Sequence, residues 1–132
     1  MATRAMIGVM ADDGSIRAIY SHWDGYPAHV GVLLKTFYDN WEAVYDLLDR
    51  GDISSLGPTL EETTFFSGDR GEDEVSAKVF KDIAEAVQYY TECWCEYFYV
   101  FEDDIWMVRD YNGVNRSLAG VIEDLREEAK EE

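Results

Sequence analysis

Thr3-Arg4-Ala5-Met6-Ile7-Gly8-Val9-Met10-Ala11-Asp12-Asp13-Gly14-Ser15-Ile16-Arg17-Ala18-Ile19-Tyr20-Ser21-His22 is the stretch on which the fold turns. Ala5, Ile7 and Val9 alternate with Arg4, Met6, Gly8 and Met10, and Ile16, Ala18, Tyr20 and His22 then alternate with Arg17, Ile19 and Ser21. A period of two is the signature of a strand, because successive side chains leave the backbone on opposite faces. Asp12-Asp13-Gly14 supplies residues that tolerate the left-handed backbone of a tight turn. The segment reads as a β-hairpin.

A second hairpin follows from the aromatic, alternating runs Cys93 to Phe101 and Ile105 to Tyr111, joined at Glu102-Asp103-Asp104. Between the hairpins the period changes. Pro27 suits the first turn of a helix whose stripe is Val30, Leu33, Leu34 and Phe37. Asp39 and Glu42 form a capping pattern for a second helix with Trp41, Val44, Tyr45 and Leu48 inward, and Gly51 stops it. Asp52 to Pro58 reads as loop and Thr63 to Phe66 as a short strand. A third helix is expected from Ser76 to Tyr90. A last one follows Asn115 or Ser117, with Leu118, Val121, Ile122 and Leu125 buried. The order ββ-αα-β-α-ββ-α predicts one α+β domain over residues 1–132, its last few residues frayed. Its expected form is an antiparallel sheet of about four to five strands with helices packed on one face.

Composition bounds the function. The chain of 132 residues carries 28 Asp and Glu against 11 Lys and Arg, a net charge of −17, yet is 47% hydrophobic and 14% aromatic. Apolar material on that scale argues against disorder. The acidity argues against direct contact with nucleic acid or an anionic membrane. No apolar run reaches the ~20 residues of a membrane span, and Met1-Ala2-Thr3-Arg4 does not open a signal peptide. Cys93 and Cys95 are too few for a disulfide framework, which points to a reducing cytoplasm. The charge is also uneven. Asp12, Asp13 and Asp24 balance Arg4, Arg17 and Lys35 within residues 1–38, so residues 39–132 carry the whole excess.

Two polar groups are candidate sites. In His22-Trp23-Asp24-Gly25-Tyr26-Pro27-Ala28-His29, a His beside an Asp suits acid–base work, with Trp23, Tyr26 and His29 as pocket candidates. The plainer reading makes this block a structural junction. In Ser67 to Glu74, Asp69, Arg70 and Glu72 have the makings of a ligand clamp, Arg70 acting as an anion fork. A solvated loop in which Arg70 balances its acidic neighbours is the plainer alternative. Cys93 and Cys95, placed on one face of a strand, read as buried thiols rather than zinc ligands, since their spacing fits no finger or ribbon. The aromatic hairpin is flanked by acids where single-strand binders carry Lys and Arg. No nucleotide, hydrolase, zinc-protease or EF-hand motif occurs, and neither metal nor cofactor is expected.

The block Ile19-Tyr20-Ser21-His22-Trp23-Asp24-Gly25-Tyr26-Pro27-x-x-Val30-Gly31 resembles a family of small bacteriophage and prophage proteins. So do Thr3-Arg4-Ala5-x-Ile7, Asp13-Gly14-Ser15-Ile16, Gly51 to Gly57, Asp69-Arg70-Gly71-Glu72 and Glu96-Tyr97-x-Tyr99-x-Phe101…Trp106. The resemblance implies a phage origin and an accessory role in the cytoplasm of the infected host cell. It carries no activity to transfer.

Two functions are consistent with these residues. The first is a non-catalytic acidic inhibitor or modulator of a host protein with a basic surface, of the DNA-mimic, anti-restriction or anti-CRISPR type. Its expected surface is Glu72, Asp73, Glu74, Asp82, Glu85, Glu123, Asp124, Glu127 and Glu128, drawn from the 18 acids after residue 66. The second is a small enzyme or small-molecule binder using His22, Asp24, Asp69, Arg70 and Glu72.

Overall fold

A computed structural model describes residues 3–65 and 76–131 of the chain. Both hairpins form. β1 (Ala5–Met10) pairs antiparallel with β2 (Ile16–Ser21), and Gly14 turns between them at φ +88°. A π-helical turn over Pro27–Gly31 runs into α1 (Val32–Phe37). α2 (Trp41–Asp49) is capped by Asn40, whose side chain accepts from the Ala43 amide at 2.9 Å, rather than by Asp39. Three short strands follow: β3 (Ile53–Ser55), β4 (Thr64–Phe65) and β5 (Lys78–Phe80). Then come α3 (Ile83–Glu92), β6 (Tyr97–Glu102), β7 (Ile105–Arg109), β8 (Asn115–Ser117) and α4 (Leu118–Glu131).

The class is mixed α and β, as expected, but the sheet is larger and is not purely antiparallel. Among the described residues it has eight strands, in the order β4-β3-β2-β1-β6-β7-β8, with β5 also paired to β2. The two hairpins lie side by side through a parallel pairing of β1 with β6, from Ala5↔Tyr97 to Val9↔Phe101. β2 and β3 are parallel as well, at Ser21↔Ile53. The outer edge of β2 is shared, since Ile16, Arg17 and Ala18 pair with β5. The expected third helix from Ser76 is therefore strand over Lys78–Phe80 and helical only from Ile83.

Helices on one face is the second expectation to fall. β1 and β6 are buried on both faces, as central strands are. On one face Ala5, Ile7, Val9, Ile19, Tyr99, Phe101 and Trp106 pack under α1, α2 and α4. On the other, Met6, Ile16, Ala18, Phe98 and Val100 pack under α3 through Ala86 and Tyr90. Met6 and Phe98 alternate with Ile7 and Tyr99, so a helix on one side only would leave large apolar residues in water. Each such side chain contributes roughly 1.5–3 kcal/mol when buried. Two layers of helices follow from that arithmetic.

Cys93 and Cys95 do not share a strand face. They flank Trp94, which turns the chain between α3 and β6 at φ +62° and is 80% exposed. Among the described residues, no helix is long and apolar enough to cross a membrane.

Candidate functional site

The parallel pairing of β1 with β6 has a direct geometric result. Two hairpins whose inner strands run the same way turn at the same end of the sheet, so Asp12-Asp13 and Glu102-Asp103-Asp104 come together there. Glu102 pairs with Ile105, leaving Asp103 and Asp104 as a two-residue loop with both residues left-handed, at φ +50° and +64°. That is the backbone of a type I′ turn, which ordinarily selects Asn and Gly. Asp12, Asp13, Asp103 and Asp104 are all exposed. Asp13 accepts from the Ser15 hydroxyl at 2.6 Å and from its amide at 2.9 Å, and these hydrogen bonds hold its carboxyl below its ordinary range. A shallow depression of about 210 Å³ lies between the turns, lined by Met10, Asp12, Trp41, Glu102 and Asp103 and by no Lys or Arg.

The His22 block sits at the opposite end, where β2 leaves the sheet. The amides of His22 and Trp23 donate to the carbonyls of Ile53 and Ser54, so the block continues the β2–β3 pairing. His22 Nδ1 lies 2.7 Å from the Tyr20 hydroxyl, and the His22 ring meets Trp23 edge-on with centroids 4.7 Å apart. Asp24 is exposed and left-handed, at φ +56°. Gly25 is the tightest point. Its amide donates to the Thr3 carbonyl at 2.8 Å, and a Cβ there would stand 2.7 Å from both Ala5 Cβ and Thr3 O. Tyr26 and Trp23 are 41% and 46% exposed, and Tyr26 lies tilted against His29 at 6.2 Å. The block closes the end of the sheet and hands the chain to the helical layer.

Asp69, Arg70, Glu72, Asp73 and Glu74 lie outside the described residues. Of the other expected surface acids, Glu85, Glu123, Glu127 and Glu128 are exposed. Asp82 and Asp124 are already engaged. Asp82 caps α3 by accepting from the Glu85 amide at 2.9 Å, and Asp124 pairs with Arg116 at 2.7 Å.

Three features escape the sequence pattern. Asp52 is half-buried beside β2 and accepts from the Tyr20 amide at 2.8 Å, and burial raises its carboxyl above the ordinary range. Nothing in a loop reading marks it. Cys95 is buried, and its thiol is pushed up to about 12 by desolvation, which makes it a poor nucleophile or ligand. Finally, an apolar depression of about 250 Å³ opens between α4 and the β7–β8 turn, with Tyr97, Tyr111, Asp110, Arg116, Val121 and Leu125 in its walls. Exposed tyrosine in an NG turn is the only trace of it in the sequence.

Among the described residues, no three His, Cys, Asp or Glu side chains gather as a metal site would require. No family model, curated protein or solved structure matches the chain.

Proposed function

We propose that this chain is a non-catalytic acidic binding protein, a phage accessory factor that occupies the basic surface of a host protein as a DNA mimic does. The observation that supports the reading is the meeting of two acidic turns at one end of the sheet, with no cation lining the depression between them. Four exposed carboxylates on two rigid turns form an ordered negative array, and a basic cleft accepts such an array by charge complementarity. The turn chemistry adds weight. Asp103 and Asp104 occupy backbone positions where Asn-Gly is less strained, so the acids are held there at a cost in local stability. On this reading the His22 block is a structural junction.

The test is capture from a bacterial host lysate with the immobilised chain and with the variant Asp12→Asn/Asp13→Asn/Asp103→Asn/Asp104→Asn. The expected result is retention of nucleic-acid-binding proteins at ~50 mM salt, their release by a few hundred mM, and competition by duplex DNA. The variant should retain roughly tenfold less. Retention indifferent to salt, to DNA and to the four substitutions would overturn the reading.

A further inference from the structure

We infer that the depression between α4 and the β7–β8 turn is a seat for an arginine side chain of a protein partner. Its walls match the parts of that side chain. Val121 and Leu125 of α4 supply the apolar wall that a three-methylene stem covers. Tyr97 and Tyr111 supply aromatic surface at the end near the turn, their rings edge to face with centroids 6.3 Å apart. A planar guanidinium stacks on such rings and is weakly hydrated, unlike an ammonium.

The sign of the charge decides the occupant. Two charged residues line the depression, Asp110 and Arg116. Arg116 is paired with Asp124, Nη2 to Oδ2 at 2.7 Å. Among the described residues Asp110 forms no ion pair. Its Oδ1 accepts from the amides of Asn112 and Val114, at 2.9 and 3.0 Å, which fixes the carboxylate in the turn, while the neighbouring Arg109 spends a donor on the Gly113 carbonyl of that turn at 3.3 Å. Glu96 and Asp110 both act on Tyr97 as negative neighbours, so the aromatic end of the depression is anionic, within a chain of charge −17. A cation with an apolar stem and a flat head fits it, and an anion does not.

The seat lies at the opposite end of the sheet from the acidic turns, because Tyr97 opens β6 and Tyr111 follows β7. The inference rests on the proposed basic partner only for the source of the arginine. Its test uses neither that partner nor the turns, so the two fail separately.

The test is titration of the isotope-labelled chain with three blocked tripeptides, Gly-Arg-Gly, its citrulline isostere and Gly-Phe-Gly, at low salt. The expected result is saturable shifts at Tyr97, Tyr111, Val121 and Leu125 with the arginine peptide, with affinity in the millimolar range, and at least tenfold weaker binding of citrulline. Asp110→Asn keeps the acceptor for the turn amides and should reduce arginine binding severalfold while leaving citrulline unchanged. Tyr111→Ala, at a residue 66% exposed, should weaken binding without unfolding the chain. Equal binding of arginine and citrulline, tighter binding of the phenylalanine peptide, or no shift at these four residues would each overturn the inference.

Discussion

The Tyr99 hydroxyl donates to the Gly25 carbonyl at 2.7 Å, inside the core and across 74 positions of sequence. Tyr99 is fully buried at the middle of the parallel β1–β6 pair, and burial pushes its phenol well above its ordinary range. The bond ties the centre of the sheet to the junction through which the chain enters its helical layer. Tyr99→Phe should therefore cost about 1–3 kcal/mol, the range for leaving one buried carbonyl unpaired. Urea denaturation measures it. A loss within error of zero would mean that the carbonyl finds another donor.

Gly25 tests the same junction from the other side. A methyl placed 2.7 Å from Ala5 Cβ and the Thr3 carbonyl has no flexible neighbour to displace. Gly25→Ala should destabilise by about 1–3 kcal/mol, the range for overpacking a filled site. His22→Ala, at a partly exposed residue, should cost less. Comparing the two midpoints separates backbone closure from side-chain chemistry in this block.

At the acidic turn the expected change has the opposite sign. Asp103 and Asp104 are both left-handed, so Asp103→Asn with Asp104→Gly places the preferred pair in a type I′ turn and removes two like charges. The double variant should be more stable by roughly 0.5–1 kcal/mol. It should also bind a basic partner less well. Thermal melts and the capture experiment, run on the same preparation, check both halves.

Asp52 makes stability depend on pH. Desolvation raises its carboxyl above 3.8 in the folded protein, against the Tyr20 amide and the Lys78 charge, which pull the other way. The folded state then holds this proton more tightly than the unfolded chain. Its penalty is absent below pH 3.8, grows as pH climbs to the raised value, and is constant above it. Asp52→Asn keeps an oxygen acceptor for the Tyr20 amide and cannot ionise. It should equal or exceed the parent in stability near neutral pH, with the advantage vanishing toward about pH 3. Urea midpoints measured across that interval decide it, and a neutral-pH loss would contradict the assignment.

The thiols should differ. Cys95 is buried with its thiol pushed up to about 12, whereas Cys93 is partly exposed. Alkylation of the native chain near pH 8 should stop at one label, on Cys93, and reach two only in denaturant. Peptide mapping identifies the modified position.

What could be read in the amino-acid order was whatever lies within about 20 residues along the chain. The alternation in Ala5–Met10 and Ile16–Ser21, the turn between them and the stripe of Leu118, Val121, Ile122 and Leu125 are local patterns; the first hairpin and the last helix formed, and the second hairpin formed in shorter strands, Tyr97–Glu102 and Ile105–Arg109, with residues 93–96 left outside it. The net charge also belongs to the chain alone. Tertiary structure decided the rest. β3, β5 and β8 have three residues each, too few to show a period, and they exist because a neighbouring edge pairs with them. The parallel contact of Ala5 with Tyr97 has no local signature either, because strands so far apart in sequence meet only when both of their faces need covering. That one contact brought the acidic turns to a common end.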